Sequence, residues 1–274
     1  MQKYRSKNII FDFKKKKFLK DFSINSLKTK DLTYSGSFSK ILKYKNKYIC
    51  IRDCYGSKKI FYGTNKKNNK ILFSNNYIDL LKTCKKNSIF SVLKGSVTKL
   101  NKNGKILLKQ KLDFEKIDFD KNFYPEIKKR IIAYLKQIKK IHGNKCYVCL
   151  SGGLDSTIIA YYAKKVFKNV NAITIGFFEE KNYLKKKNNI KKYPDLFYSR
   201  IISKYLKIKR EEIILPMEYF FQHLEKIIYS CQDWRDFNVH SASLNFMIGR
   251  YLKFSNDYNF EPVLTGDMMN EIFA

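Results

Sequence analysis

The stretch Leu150-Ser151-Gly152-Gly153-Leu154-Asp155-Ser156-Thr157 constrains the fold more than any other part of this 274-residue chain. It follows the apolar run Cys146–Leu150 and opens a helical pattern from about Ser156 to Phe167. Consecutive glycines let the backbone turn tightly and aim several N–H groups in one direction. The helix N-terminus adds partial positive charge, so such a loop can hold a polyphosphate. The hydroxyls of Ser151, Ser156 and Thr157 supply donors for phosphate oxygens. Asp155 alone would repel phosphate; its presence argues for a bridging Mg²⁺, which favours carboxylate and phosphate oxygens together. The alternative is a capped turn without a ligand, which needs neither the paired glycines nor Asp155. The Gly-x-x-x-x-Gly-Lys-Ser/Thr phosphate loop occurs nowhere in the chain.

The pattern around this loop is alternating α and β. Tyr124-Pro125 opens a helix through about Lys140, with apolar residues at Ile127, Ile131, Leu135 and Ile138. Strand 146–150 is followed by helix 156–167, strand 170–175, helix 196–206, strand 212–215, helices 219–229 and 241–252, and strand 262–264. Strands alternating with helices predict a parallel sheet covered on its faces. The first 30 residues are basic and weakly patterned. From about Thr33, short strands at 37–44, 48–51, 59–62 and 71–74, joined by Gly and Asn turns, predict an antiparallel sheet, and 91–112 adds more strand. The character changes at 113–122. This divides the chain into a small, mainly antiparallel β domain at 1–115 and an α/β domain at 122–274.

The formal charge is +32, from 56 Lys+Arg against 24 Asp+Glu, and 44% of residues are hydrophobic. That apolar content excludes a disordered chain. No apolar run approaches the ~20 residues that span a bilayer, so a helical membrane protein is excluded. No apolar h-region follows Met1-Gln2-Lys3-Tyr4-Arg5, so no signal peptide is expected and the location is expected to be cytoplasmic. The lysines are scattered, and Lys, Asn, Ile, Phe and Tyr are used heavily together. This pattern reads as a compositional bias on solvated faces; a nucleic-acid or anionic-membrane partner is the alternative. No specific nucleic acid and no membrane is expected as a partner. Six cysteines without a secretion signal predict free thiols rather than a disulfide framework. Cys146-x-x-Cys149 has metal-pair spacing, but residues three apart on a strand face opposite ways. His142, His223 and His240 have no zinc-ligand spacing. The segment 231–238 holds the chain's only Trp and reads as aromatic packing, with Arg235 and Asp236 as substrate contacts in the alternative.

The Ser-Gly-Gly-x-Asp-Ser string resembles the PP-loop of N-type ATP pyrophosphatases, which cleave ATP between the α- and β-phosphates and make the substrate an adenylate. Three further segments narrow the resemblance. Ile51-Arg52-Asp53-Cys54-Tyr55-Gly56 through Ile60-Phe61-Tyr62 resembles the Arg-Asp-x-x-Gly-x-x-x-Leu-Tyr-Tyr segment of class II glutamine amidotransferase domains. Leu93-Lys94-Gly95 and Asn103-Gly104 resemble turns later in those domains. Leu264-Thr265-Gly266-Asp267-Met268-Met269-Asn270-Glu271-Ile272-Phe273 resembles the Leu-Ser-Gly-Asp/Glu-x-x-Asp-Glu-Leu-Phe loop of asparagine synthetases. The chain is therefore similar, over roughly residues 31–274, to asparagine synthetases.

That resemblance implies a PP-loop (adenine nucleotide α-hydrolase-like) α/β domain behind a reduced amidotransferase-like domain. It implies ATP and Mg²⁺ as cofactors. Ser151, Gly152, Gly153, Asp155 and Ser156 would hold the pyrophosphate half of ATP. Leu150 and Ile175 would flank the nucleotide by their backbones, and Thr265 and Gly266 would touch the AMP half. Asp267 would serve acyl-adenylate formation, and Asp155 with Asn270 would hold the metal. The implied reaction joins a carboxylate (aspartate or a related acid) to ammonia or an amine.

Three departures qualify it. No cysteine follows Met1, and none precedes Cys50, so no glutaminase activity is expected; ammonia, an amine or a partner subunit would supply nitrogen. The family's second metal-site Asp is Asn270, behind Met268 and Met269, so one charge is lost there. The sequence stops at Ala274, where the family continues with a helical region, so a fragment or a reduced form is expected, with its uncovered face exposed or covered by a partner. Lactam-forming or peptide-cyclising relatives, a catalytically degenerate nucleotide-binding subunit, and a tRNA-modifying PP-loop enzyme are the alternative readings.

Overall fold

The computed structural model describes residues 9–12, 17–23, 34–112, 123–178, 194–232, 236–255, 259 and 261–266. The chain divides into two compact units, Met1–Asp120 and Lys121–Ala274.

The first unit is built on antiparallel strands: β1 (Ile9–Asp12), β2 (Lys17–Leu19), β3 (Tyr34–Ser37), β4 (Ser39–Tyr44), β5 (Lys47–Arg52), β6 (Phe61–Thr64), β7 (Ile71–Ser74), β8 (Phe90–Ser91), β9 (Ser96–Asn101) and β10 (Ile106–Lys111). They form three sheets, ordered β2-β1-β3, β10-β9-β5-β4 and β7-β6-β8. Alternation of side chains across β5 explains why Tyr48–Ile51 is continuously apolar. Ile49 and Ile51 enter a core with Ile10, Phe38 and Val97, while Cys50 enters a second core with Ile60, Tyr62 and Leu100. Both faces of β5 are therefore covered. Helix α1 (Tyr77–Thr83) is capped by Asn76, whose side chain accepts from the Ile78 N–H.

Four elements here depart from the sequence reading. β1 and β2 lie inside the stretch read as weakly patterned, where the apolar clusters Ile9-Ile10-Phe11 and Phe18-Leu19 are short and set among lysines. Helix α1 is too short to show a period. The strand expected at 59–62 begins at Phe61 instead.

The second unit contains α2 (Phe123–His142), β11 (Lys145–Cys149), α3 (Leu154–Val166), β12 (Asn169–Phe178), α4 (Pro194–Leu206), β13 (Lys209–Pro216), α5 (Met217–Cys231), α6 (Asp236–Phe254) and β14 (Val263–Leu264). Its four strands run parallel in the order β13-β12-β11-β14, so this is an α/β domain preceded by small antiparallel sheets. One sheet face carries Tyr147, Ile173 and Ile213 against Ile248 and Leu252 of α6. Helices α3 and α4 also pack on the strands, burying small side chains: Ala160 and Ala163 from α3, Ser199 and Ser203 from α4. The strand order reverses at β11. β12 and β13 extend the sheet on one side of it, whereas β14 returns to the other side, pairing Tyr147 with Val263 and Val148 with Leu264. Open α/β sheets bind ligands at such reversals, beyond the carboxyl ends of the strands. Cys146 is fully buried, while Cys149 packs with the Tyr147 and Ile173 cluster, so the Cys-x-x-Cys pair is divided between two environments. Among the described residues no helix is long and apolar enough to cross a membrane.

Candidate active site

A cavity of about 410 Å³ opens at the carboxyl ends of β11, β12 and β14. Three segments distant in sequence build its floor. Leu150, Ser151, Gly153, Asp155 and Ser156 come from the loop after β11, Ile175 from β12, and Thr265 with Gly266 from the end of β14. These are eight of the positions singled out from the sequence. Gly152 is not on the wall. Asp267 and Asn270 lie outside the described residues, as do Met268, Met269 and Trp234.

The loop is held by its own hydroxyls. Ser151 Oγ lies 3.1 Å from Ser156 Oγ and 3.3 Å from the Gly153 N–H, which donates to it. Ser156 Oγ donates to the Gly153 carbonyl at 3.0 Å. Gly153 occupies the N-cap of α3 and makes no side-chain cap bond. The first intrahelical bond comes from the Thr157 N–H to the Gly153 carbonyl, at 3.0 Å. The N–H groups of Leu154, Asp155 and Ser156 are thus left without intrahelical acceptors, as in the first turn of any helix. They form a cradle of open donors that suits an anion.

Two glycines make the assembly possible. Gly152 has φ +85°, and a Cβ there would lie 2.3 Å from Tyr198 Cβ and 2.8 Å from the Ser199 backbone nitrogen. The loop therefore presses against α4 as closely as a backbone permits, which is why Gly152 supports the wall without lining it. A Cβ on Gly266 would lie 2.8 Å from the Ser156 nitrogen and 2.9 Å from the Asp155 carbonyl carbon. The end of β14 thus rests directly on the first turn of α3.

Strand β12 contributes in two ways. The Thr174 hydroxyl donates to the Leu150 carbonyl at 2.7 Å, and the Leu150 N–H donates to the Ile173 carbonyl at 2.9 Å. Both backbone groups of Leu150 are therefore hydrogen-bonded within the protein, and the residue is buried at the edge of the cavity. Backbone groups in a parallel ladder alternate in direction. Because Ile173 faces β11, the N–H and C=O of Ile175 turn to the same side, just past Leu150 where β11 has ended.

The cavity's remaining walls went unnoticed in the sequence. Thr174, Asp195 at the start of α4, and His240, Ser241, Leu244, Asn245 and Ile248 of α6 all line it. The α6 residues fall at helical spacing on one side of that helix. Thr174 carried a signal, a hydroxyl inside an apolar strand beside the loop; Asp195 and His240 carried none, because they are ordinary surface types in polar stretches. Among the described lining residues there is no lysine or arginine, although the chain has 56 of them. No group of three or more His, Cys, Asp or Glu that could hold a metal occurs among the described residues.

Residues 142–274 match the asparagine synthase family model. No curated protein matches the chain. Among solved structures it is similar to NMN synthetase from Francisella tularensis, with 19% identity, 52% of each chain covered and a TM-score of 0.34. The chain thus spans about half the length of that protein. With the family model matched from the end of α2 through the Thr265-Gly266 loop, the chain is asparagine synthetase-like over residues 142–274.

Proposed function

We propose that this chain is an ATP-dependent amide ligase of the asparagine synthetase type, with residues 122–274 as its ATP pyrophosphatase domain. It would adenylate a carboxylate, aspartate or a related acid, releasing pyrophosphate, and then transfer the acyl group to ammonia or an amine. The observation that carries this reading is the cavity at the β11–β14 reversal, where the Ser151–Ser156 loop, Ile175 and Thr265-Gly266 meet. The open N–H groups of Leu154, Asp155 and Ser156 would take phosphate oxygens, together with the hydroxyl of Ser151. The N–H and C=O of Ile175 would read the hydrogen-bonding edge of the base, beside Leu150. Thr265 and Gly266 would border the AMP half.

The donor set also fits Mg²⁺. Mg²⁺ is usually held by one or two carboxylates plus substrate phosphates rather than by an all-protein cage. Asp155 is half-buried on the wall beside the open N–H groups, and its carboxylate makes no hydrogen bond or ion pair among the described residues. Among the described lining residues no lysine or arginine balances the charge of a polyphosphate, which leaves that part to the helix terminus and a cation. Bound Mg²⁺ would stabilise charge that develops as the α-phosphate is attacked. Asn270 is proposed as the second metal-side residue and Asp267 as the acid important for adenylate formation, both on the sequence resemblance alone.

Residues 1–115 are proposed to be a reduced amidotransferase-like domain without glutaminase activity. All three of its cysteines are buried. Burial pushes the thiols of Cys50 and Cys54 up, to about 12 and about 11, with the Asp53 charge adding to the effect at Cys54. A nucleophilic cysteine needs the opposite shift. Nitrogen would then come from ammonia, an amine or a partner subunit.

The test is ATP–pyrophosphate exchange with Mg²⁺ and aspartate, comparing the chain with Asp155→Ala. Exchange in the parent that falls on the order of 10²-fold in the variant supports an adenylating site. Tight Mg-ATP binding without exchange redirects the reading to another carboxylate. Neither binding nor exchange refutes it.

A further inference from the structure

The three histidines have separate roles. His223 is 9% exposed, its Nδ1 lies 2.9 Å from the Tyr219 carbonyl, and its ring packs on Tyr219 and Phe246, so it is a structural residue of the α5–α6 pair. His142 ends α2 and also has an interaction partner. His240 differs from both. Its side chain is exposed, lines the cavity from α6, and makes no hydrogen bond, ion pair or ring contact among the described residues.

The two steps of the proposed reaction ask for different groups. Adenylation needs donors and a cation around phosphate, and the loop after β11 provides these. Amide formation needs a proton acceptor for the attacking nitrogen, placed where the acyl group is reached and away from the phosphates. Asp155 belongs to the phosphate side of the cavity. Imidazole is the side chain most often used as a general base.

From this division, and resting on the adenylation reading above, we infer that His240 is the base that deprotonates the amine in the second step. The amine nitrogen bonds to the acyl carbon. The bond from that carbon to the AMP phosphate oxygen breaks, and AMP leaves with the electron pair. The proton lost by nitrogen passes to a ring nitrogen of His240, and solvent later takes it up. Ser241 and Asn245 line the cavity from the same stripe of α6.

The test separates the steps by choice of nucleophile. Hydroxylamine is unprotonated at neutral pH and attacks acyl-adenylates without a base; ammonium must lose a proton first. The full chain and His240→Gln are each given Mg-ATP and whichever of aspartate, glutamate or N-acetylaspartate supports exchange in the parent. Pyrophosphate exchange, hydroxamate formation with hydroxylamine and amide formation with ammonium are then measured. The expected result is exchange and hydroxamate formation within about 3-fold of the parent, with amide formation from ammonium lower by roughly 10²-fold. Free imidazole should restore the ammonium reaction in His240→Ala. An equal fall in all three activities overturns the base role in favour of a binding or structural one. An unchanged ammonium reaction also overturns it. A parent chain that shows no exchange with any of the acids refutes the adenylation reading itself, and the role falls with it.

Discussion

Asp53 in the first unit and Asp155 in the second both follow a buried strand, Asp53 in the loop that holds Gly56 and Asp155 in the first helical turn after the loop that holds Gly152, and both glycines have positive φ. Their surroundings are opposite. Asp53 is fully buried, and its carboxylate accepts from the Ser57 N–H at 3.0 Å, the Ser57 hydroxyl at 2.9 Å and the Lys58 N–H at 3.4 Å. Its carbonyl accepts from Gly56 and Gly95 as well. The neighbouring Arg52 donates to the Val92 and Gly56 carbonyls. Among the described residues, the hydrogen bonds of this Arg-Asp pair lie within the first unit. Asp155 instead faces a cavity beside donors that no acceptor has claimed. A carboxylate surrounded by its own loop is a brace, and one left open beside unclaimed donors is a site. Motif spelling alone does not distinguish them.

The glycines offer the hardest test of this contrast. Gly152→Ala should cost about 3 kcal/mol or more, because the new methyl meets α4 backbone that cannot withdraw. Gly56→Ala should cost less, about 2 kcal/mol, from its φ of +72° and from disturbing the Arg52 bond to the Gly56 carbonyl, since the atoms a methyl would meet there are side-chain atoms of Arg52 and Lys94 rather than backbone. Urea titrations of both variants decide the matter, and equal losses would contradict the difference in packing.

The aspartates come next. Asp53→Ala should destabilise the first unit by about 3 kcal/mol, leaving three donors without their acceptor. Asp155→Ala should change stability by less than about 0.5 kcal/mol. Calorimetry that finds Asp155 the more costly of the two would reverse the assignment of brace and site.

Thr174→Val should lose about 1 kcal/mol by freeing the Leu150 carbonyl. It should also weaken Mg-ATP binding, read by titration calorimetry, because the start of the loop is no longer pinned.

The smallest effect concerns pH. Desolvation lowers the Lys58 amine to about 8, against the raising influence of Asp53. Its folded value is below its unfolded value, so the unfolded chain binds more protons between about pH 8 and 10.5, and this residue makes stability rise with pH across that window. Cys50 and Cys54 oppose the trend above pH 9, since their folded values are raised. The readout is therefore the difference between parent and Lys58→Met. The variant should be the more stable at pH 7, and its advantage should shrink as pH rises to 10.

The second unit was legible because long periodic helices alternate with apolar strands, and because the Gly152-Gly153 turn has one main use between such elements. Its floor residues Ser151, Ile175 and Thr265 were reached through the resemblance to asparagine synthetases, with which the convergence of strand ends in a parallel sheet agrees. The α6 wall was not, since His240 and Asn245 differ in no local way from other polar residues on an amphipathic helix, and only tertiary packing aims them. In the first unit, β1 and β2 were hidden by the lysines of 14–17, and α1 by its length of only about two turns. The three-sheet arrangement was hidden because short strands state their alternation but not their partners.

The placement of β14 beside β11 has a consequence for how the molecule comes into being. The two strands that frame the loop are separated by more than a hundred residues, so the contact between Gly266 and the first turn of α3 is among the least local in the chain. Contacts of such high sequence separation carry a large loop-closure cost and tend to form late. During synthesis, β11, α3, β12 and β13 emerge and can associate before β14 exists. The cavity floor would then be completed late, and a nucleotide bound there as proposed, by favouring the finished floor, would drive the closing step by mass action.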